Sequence, residues 1–363
     1  MLKSRMENND ILKCCKGDNH LRLKRRMPQL VGQFRGKRVL IIHQGALGDF
    51  ILSLPAIRLL RDSLQPTHLE IMGHPWILQL VEGHYYADRI ADVNKAEMAP
   101  FFLCGTHLPE AMCRYFRRFD VVFVFGKGAT FSQNLRRTGI KRVFQLPSSS
   151  DNRKHLVDHH LSSIEALGIS PIPSPPKVFL RQEDIRWAQE FFQMKGWNLA
   201  GIIAMHPGAG SRKKVWPSHR FASLGRMLTQ GGKKLFVIHG PADDKEVVEV
   251  LQRLNGVPHL VARDLPLIKL GALLSQCMLY IGNDSGISHL AAALGIPTVA
   301  IFGPTDPHIW APRGERAFWI HGKIDCSPCS WKKRQRCKEQ KCLDTIDVED
   351  MMEFVTGKVG FHQ

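Results

Sequence analysis

Arg38-Val39-Leu40-Ile41-Ile42-His43-Gln44-Gly45-Ala46-Leu47-Gly48-Asp49 decides the fold. An apolar run with basic flanks passes into a turn built on Gly45 and Gly48, and from Phe50 to Leu64 the apolar residues recur at helical spacing. The unit is strand, glycine turn, helix. Further apolar runs at Leu69 to Met72, Val121 to Phe125 and Arg142 to Leu146 alternate with helix-like segments, which argues for a parallel sheet covered on both faces. A loop from Pro147 to Asn152 precedes a helix over His155 to Leu167. Pro171-Ile172-Pro173-Ser174-Pro175-Pro176 then reads as a semi-rigid extended spacer, and the domain boundary falls there.

Beyond the spacer the alternation restarts. Helices are expected from Glu183 to Lys195, His219 to Gln230, Asp243 to Leu254 and Leu267 to Leu274, and strands at Gly201 to Met205, Lys234 to Ile238, Met278 to Ile281 and Pro297 to Phe302. The fold class is α/β, with two doubly wound halves. In open sheets of this kind ligands sit at the carboxyl ends of the strands. The expected division is a basic, disordered arm over 1–36, an N-terminal domain over 37–176 and a C-terminal domain over 177–344, with a last helix at about 345–363 packing back on the first domain.

Composition narrows the function. The chain has 363 residues, 44% hydrophobic and 23% charged, enough for two cores, and carries a formal charge of +17. Such an excess implies a polyanionic partner: nucleic acid, an anionic membrane surface or a phosphorylated substrate. Residues 1–38 alone hold eleven Lys or Arg against three acids. No apolar run is long enough to span a bilayer and no signal-peptide core is evident, so a cytoplasmic location with mostly reduced cysteines is expected.

Polar turns follow four of the strands, at Gly45 to Asp49, His206 to Lys214, Gly240 to Asp244 and Asn283 to His289, with a fifth loop at Gly303 to Pro307. In Asn283-Asp284-Ser285-Gly286-Ile287-Ser288-His289 a helix start follows a strand. Free backbone N–H groups, a partial positive charge and a glycine make it an anion site. Gly208 and Ser211 add small residues and backbone donors beside Arg212, Lys213 and Lys214, the composition that holds a diphosphate. No Walker sequence is present. Singly, each turn is equally well a plain turn, and Asp49 a plain helix cap.

Taken in order, Gly45-Ala46-Leu47-Gly48-Asp49, His206-Pro207-Gly208-Ala209 with Lys214-Val215-Trp216-Pro217, Asp284-Ser285-Gly286 with His289, and Gly303-Pro304-Thr305-Asp306-Pro307 resemble the ADP-heptose:lipopolysaccharide heptosyltransferases, family nine of the glycosyltransferases. The resemblance covers roughly residues 37 to 350. It implies a GT-B architecture: two Rossmann-like domains facing a central cleft, the acceptor on the first and the nucleotide-sugar donor on the second. It also implies that Asp49 is the general base, that Lys214 contacts phosphate, and that Asp284, Ser285, Gly286 and His289 form the donor turn. Gly45 and Gly48 fall in the acceptor-side turn, and Ser211 is the one hydroxyl available to the phosphate loop. Asp243 or Asp244 accepts from a ribose hydroxyl, with Asp244 carried into the donor set. The implied partners are ADP-heptose, a lipid A-Kdo type acceptor and the inner face of the cytoplasmic membrane, with no cofactor required for catalysis.

Cys326, Cys329, Cys337 and Cys342 place four thiols within seventeen residues, a spacing able to close around a structural zinc or iron. The run Lys332-Lys333-Arg334-Gln335-Arg336 inside it is either a solvated loop or a contact for anionic headgroups. Two rivals remain: the same fold acting on another sugar or acceptor, and a nucleic-acid-binding protein using the basic arm and the four-cysteine knot. The second lacks the interleaving of aromatic and basic residues that such surfaces use.

Overall fold

In the computed structural model, which describes residues 30–126, 128–147, 154–241 and 243–360, the opening apolar run is a strand, β1 (Arg38–His43). Its Leu40, Ile41 and Ile42 are fully buried, and a strand apolar on both of its alternating faces needs cover on both. It pairs in parallel with β2 (His68–Gly73) and β4 (Val121–Phe125). With β3 (Arg89–Asp92) and β5 (Val143–Leu146) at the edges, the order is β3-β2-β1-β4-β5.

The second sheet holds β6 (Ile202–His206), β7 (Lys234–His239), β8 (His259–Arg263), β9 (Leu279–Asn283), β10 (Thr298–Phe302) and β11 (Ala317–His321). Its order is β11-β10-β9-β6-β7-β8, again parallel throughout. Both sheets are doubly wound, as expected. Strand order reverses between β1 and β4 in one and between β6 and β9 in the other, and at such a point the connections leave in opposite directions and open a crevice. The strands that the sequence pattern does not reveal are β3, β8 and β11, all at sheet edges and only partly buried, so none forms a continuous apolar run.

The helix Leu47–Leu64 starts four residues after β1 and is buried on nearly every side. An all-round apolar helix belongs inside a protein. This one lies between the halves, packed against the helix Leu156–Glu165 and against the helix Gly286–Ala293 of the second half. It stops at Gln65, whose left-handed φ of 42° turns the chain while its N–H reaches the Arg61 carbonyl at 2.9 Å. The chain crosses from one sheet to the other between the helices Leu156–Glu165 and Gln182–Met194, along the proline cluster. That crossing is tied down: Tyr86 Oη donates to the Lys177 carbonyl at 2.7 Å, and the Val178 amide to Ala293 at 2.9 Å.

Two expectations are corrected. The last helix, Val348–Val359, does not return to the first domain. Its Val348, Met351, Met352 and Val355 enter the core of the second domain with Trp216 and Phe221, because its apolar stripe matches the open face of the helix Ser218–Leu228. The basic arm is also shorter than residues 1–36: Leu30–Phe34 form a helical turn whose Phe34 is buried and lies edge-on to Phe144. The rest of the arm lies outside the described residues. Among the described residues no helix is long and apolar enough to cross a membrane.

Candidate active site where two helix starts meet

Two helices begin at opposite walls of the interdomain crevice and touch at their first turns. On one side the helix Leu47–Leu64 presents Leu47, Gly48 and Asp49, and on the other the helix Gly286–Ala293 presents Gly286 and His289. Glycine is required at the crossing. A Cβ on Gly48 would stand 2.9 Å from His289 Cδ2, and one on Gly286 would stand 2.8 Å from Leu47 Cβ. This close approach brings the first domain's carboxylate into the field of the second domain's charges.

Asp49 sits in the third helical position, after a cap at Ala46 that makes no side-chain bond, so it is not the helix cap. Burial raises its pKa above the ordinary carboxylate range, against a hydrogen bond from the Ala46 backbone and the charge of Lys214, and Asp284 adds to the rise. Gly45 precedes it, its amide donating to His43 Nδ1 at 3.2 Å. Burial lowers the His43 pKa to about 3 and keeps that ring neutral.

Across the crevice, Lys214 Nζ lies 2.8 Å from Asp284 Oδ2, and Thr305 Oγ1 donates to the same oxygen. Lys214 closes the short turn Arg212–Lys214, which Ser211 caps by accepting from the Lys213 amide at 3.4 Å. The turn is held from below. Asn283, fully buried, accepts from the Trp216 amide at 2.9 Å and donates to the carbonyls of Pro207 at 2.7 Å and Gly208 at 3.2 Å. Trp216 is itself fully buried, with Nε1 on the Ile346 carbonyl at 2.8 Å. Lys213 points the other way, Nζ donating to the carbonyls of Arg334 at 2.7 Å and Gln335 at 2.6 Å, and so ties this turn to the cysteine segment.

Ser285 is the N-cap residue of its helix, yet its hydroxyl makes no capping bond and faces His206 Nδ1 at 3.2 Å. His289 is buried and its pKa is lowered to about 4, first by burial. Its Nδ1 and the Nε2 of Gln44 are buried and, among the described residues, meet no hydrogen-bond partner. Asp244 stands apart from the rest of the candidate set: its carboxylate is turned to His239 at 2.7 Å and Arg263 at 3.5 Å, and is three-quarters exposed (75%). Its neighbour Asp243 is the one turned inward, to His206 at 2.9 Å.

Cys326, Cys329, Cys337 and Cys342 all line one cavity of about 320 Å3, together with Lys213 and Pro304. The Cys329 amide donates to the Pro304 carbonyl at 2.8 Å. Burial pushes the thiols of Cys329 and Cys342 up, the latter to about 11, with the other cysteines of the cluster adding to the rise. Two of the thiols face backbone carbonyls, Cys329 that of Cys326 at 3.2 Å and Cys337 that of Glu339 at 2.6 Å. Among the described residues no group of three or more His, Cys, Asp or Glu side chains is arranged to hold a metal ion. The basic run forms the short helix Trp331–Arg336, whose Lys332, Lys333 and Arg336 are exposed.

The residues that the sequence reading quoted within its motifs without giving them a role are the struts His206, Asn283, Trp216 and Thr305, with Asp243, which it named beside Asp244, as the partner of His206. Each is polar, or polar-tipped, and buried, but no spacing rule pairs them, because their partners come from distant parts of the chain.

The geometry sets a carboxylate of raised pKa on one wall against a cation and a helix start on the other. Glycosyltransferase family 9 (heptosyltransferase) matches residues 134–342. The chain is 32% identical to the lipooligosaccharide heptosyltransferase 2 of Haemophilus influenzae over 311 residues, 77% of this chain and 87% of that protein. To lipopolysaccharide heptosyltransferase 3 of Escherichia coli it is 27% identical over 209 residues, 54% of this chain and 58% of the other. Some curated relatives are thus matched over only about half of their length. The structure of the E. coli ADP-heptose lipopolysaccharide heptosyltransferase II superposes with a TM-score of 0.70 at 18% identity, covering 89% of this chain and 98% of that one, a likeness of GT-B fold. By the extent of the family match and of the Haemophilus relative, the chain belongs to glycosyltransferase family 9, the heptosyltransferases.

Proposed function

We propose that this protein is an inverting glycosyltransferase that moves heptose from ADP-heptose to a sugar of the lipopolysaccharide inner core, Kdo or a first heptose. The observation that carries the reading is the meeting of Asp49 with the Lys214–Asp284 turn across the crevice. Asp49 takes the proton of the acceptor hydroxyl. That oxygen forms its bond to the anomeric carbon, the carbon–oxygen bond to the diphosphate breaks, and the electron pair leaves with ADP. Lys214 and the start of the helix Gly286–Ala293 stabilise the charge gathered on the diphosphate. The relative named for ADP-heptose supports the choice of donor.

The exposed Lys332, Lys333 and Arg336 favour peripheral binding to the anionic inner face of the cytoplasmic membrane, where a lipid A-Kdo type acceptor is presented. The all-thiol set of Cys326, Cys329, Cys337 and Cys342 has the donor chemistry of a structural zinc or iron site, and would hold such an ion only after the four thiols draw together from where they stand around the cavity. The ion supplies no step of the transfer, for which we propose no cofactor. Metal analysis of anaerobically purified protein, with Cys329→Ser as control, tests the metal. The function is tested by incubation with ADP-heptose and a panel of truncated lipid acceptors, followed by mass measurement. The expected product is the acceptor plus one heptose, and no mass shift with any acceptor refutes the reading.

A further inference from the structure

On the first domain's side of the crevice mouth, one stretch of chain turns apolar side chains outward. The short helix Ala96–Phe102 follows β3, and at its end Phe102 and Leu103 are 45% and 57% exposed. Single exposed apolar residues are ordinary, but a contiguous group marks a contact surface. Among the described residues these two are the one pair of exposed large apolar residues adjacent in sequence. Trp76, 53% exposed, stands on the turn after the neighbouring β2, and Asn94 Nδ2, donating to His74 Nδ1 at 3.2 Å, ties that turn to the start of the stretch. The Phe102 ring lies 4.8 Å from that of Phe131, in the first turn of the helix Ala129–Arg137 that follows β4. The pair therefore sits beyond the carboxyl ends of the strands, the side on which the crevice opens.

This tip is tied from within. Phe101 is fully buried, and Asn134, also buried, donates Nδ2 to the carbonyls of Phe101 and Leu103, both at 2.9 Å. Thr106 Oγ1 donates to the Pro100 carbonyl at 2.8 Å. Arg137, braced on Asn134 Oδ1 at 2.8 Å, donates to the Thr106 carbonyl at 2.9 Å. Gly105, with a φ of 73°, turns the chain back between them. The carbonyls of Pro100, Phe101, Leu103 and Thr106 thus have partners that do not depend on water. A segment that leaves water for hydrocarbon needs such internal pairing, because an unpaired backbone group is costly there. The charge nearby is basic in sum. No acid occurs from Met98 to Pro109, and the exposed Lys95, Arg136 and Arg137 outnumber Glu97. On the second domain the exposed Lys332, Lys333 and Arg336 belong to the segment held on the Pro304 carbonyl, which also lies beyond a strand's carboxyl end.

We propose that Phe102 and Leu103 enter the acyl layer of an anionic lipid bilayer, with Trp76 at headgroup level, so that the mouth of the crevice rests on the membrane. The inference deepens the reading of a membrane-held acceptor above and rests on it. The basic residues supply attraction at a distance, which salt screens. The tip supplies apolar burial, which salt does not screen. Two modest signals of different kinds hold a protein on a bilayer where one alone gives marginal binding. Because the tip's backbone is already ordered, little conformational freedom is lost on entry. Trp76 suits the boundary, having an apolar body and one polar N–H. With the tip on one domain and the basic helix on the other, the contacts fix which face meets the lipid. The crevice that holds Asp49 then opens toward the headgroups, where the sugar of a lipid-linked acceptor stands.

Sedimentation of the whole protein with vesicles of phosphatidylglycerol and phosphatidylethanolamine, at low salt and at about 1 M salt, where the Debye length is about 3 Å, tests this. The wild type is expected to bind at both, more weakly at high salt. Phe102→Ser and Leu103→Ser should each weaken binding about tenfold, and the double variant should lose the salt-resistant part at an unchanged melting temperature. Val248→Ser, which removes a similarly exposed apolar side chain from the helix Asp244–Arg253, should change nothing. In Phe102→Trp the added emission should be quenched by lipids brominated on their acyl chains. Wild-type binding that high salt abolishes, salt-resistant binding undiminished in the double variant, or no quenching in Phe102→Trp each overturns the inference and leaves the membrane reading standing. Self-association of the wild type without lipid, absent from the double variant, assigns the tip to a second copy of the chain and overturns it as well. Failure of the wild type to bind these vesicles at either salt sinks instead the reading on which the inference rests.

Discussion

Asp49 combines two properties that a single substitution separates. Its carboxyl is raised by burial, so in the folded protein the ionised form is disfavoured relative to the unfolded chain. Stability from this group is therefore complete below the unfolded pKa of about 3.9 and is lost as pH rises through the higher folded value. Replacing the charge by an isosteric amide removes that loss while removing the proposed base. Asp49→Asn is expected to lower turnover by about 10²–10⁴-fold and to leave the melting temperature at neutral pH unchanged or raised. Product mass and thermal melts check the two together, and near-normal turnover with a lowered melting temperature would make Asp49 a structural residue. In the wild type the rising limb of the pH–rate profile from this group should lie above that of an unperturbed carboxylate. Asp49, Lys214 and Asp284 were legible as single candidates. Their mutual influence was not, because it depends on two glycines, Gly48 and Gly286, being pressed against residues about 240 positions away.

At the scale of elements the glycine crossing carries opposite expectations for two similar substitutions. Gly286→Ala sets a Cβ 2.8 Å from Leu47 Cβ, and neither atom is a flexible tip, so the helices must part. The expected cost is about 1–3 kcal/mol of stability, with turnover reduced as Asp49 moves from the donor turn. Gly357→Ala, in the helix Val348–Val359 with nothing within 4 Å, should instead stabilise by about 0.5–1 kcal/mol. Chemical denaturation of both variants checks the signs. The tie from Lys213 to the carbonyls of Arg334 and Gln335 gives a third expectation. Lys213→Met should raise the donor KM by about tenfold through misplacement of Lys214, with little change in melting temperature, and steady-state kinetics checks it. Helices and inner strands were readable because their apolar spacing is their cause. The edge strands β3, β8 and β11 were not, because only partly buried strands need no continuous apolar run.

In the whole molecule the two halves are joined by more than the spacer. Arg313 meets Asp158 through two bonds of 2.6 Å, and His155 Nε2 lies 2.8 Å from the Ala311 carbonyl. The ion pair is about two-fifths exposed, 39% and 45%, so solvent screens it and its worth is below about 1 kcal/mol. The apolar contact along the helix Leu47–Leu64 dominates the junction. The net charge of +17 suits nucleic acid as well as phosphorylated ligands, and whole-protein melting separates them. ADP at about a hundred times its Kd should add about 2.7 kcal/mol of stability, whereas duplex DNA at physiological salt should add none; the reverse result would favour the nucleic-acid reading. The sequence by itself determined the two doubly wound halves, the turns after the strands and the family, because periodicity and turn chemistry are local. Tertiary structure alone decided that Asp243 and Ser285 flank His206, that the last helix joins the second domain, and that Asp49 faces Lys214. Those facts follow from strand order and domain packing, which bring together residues that no local spacing relates.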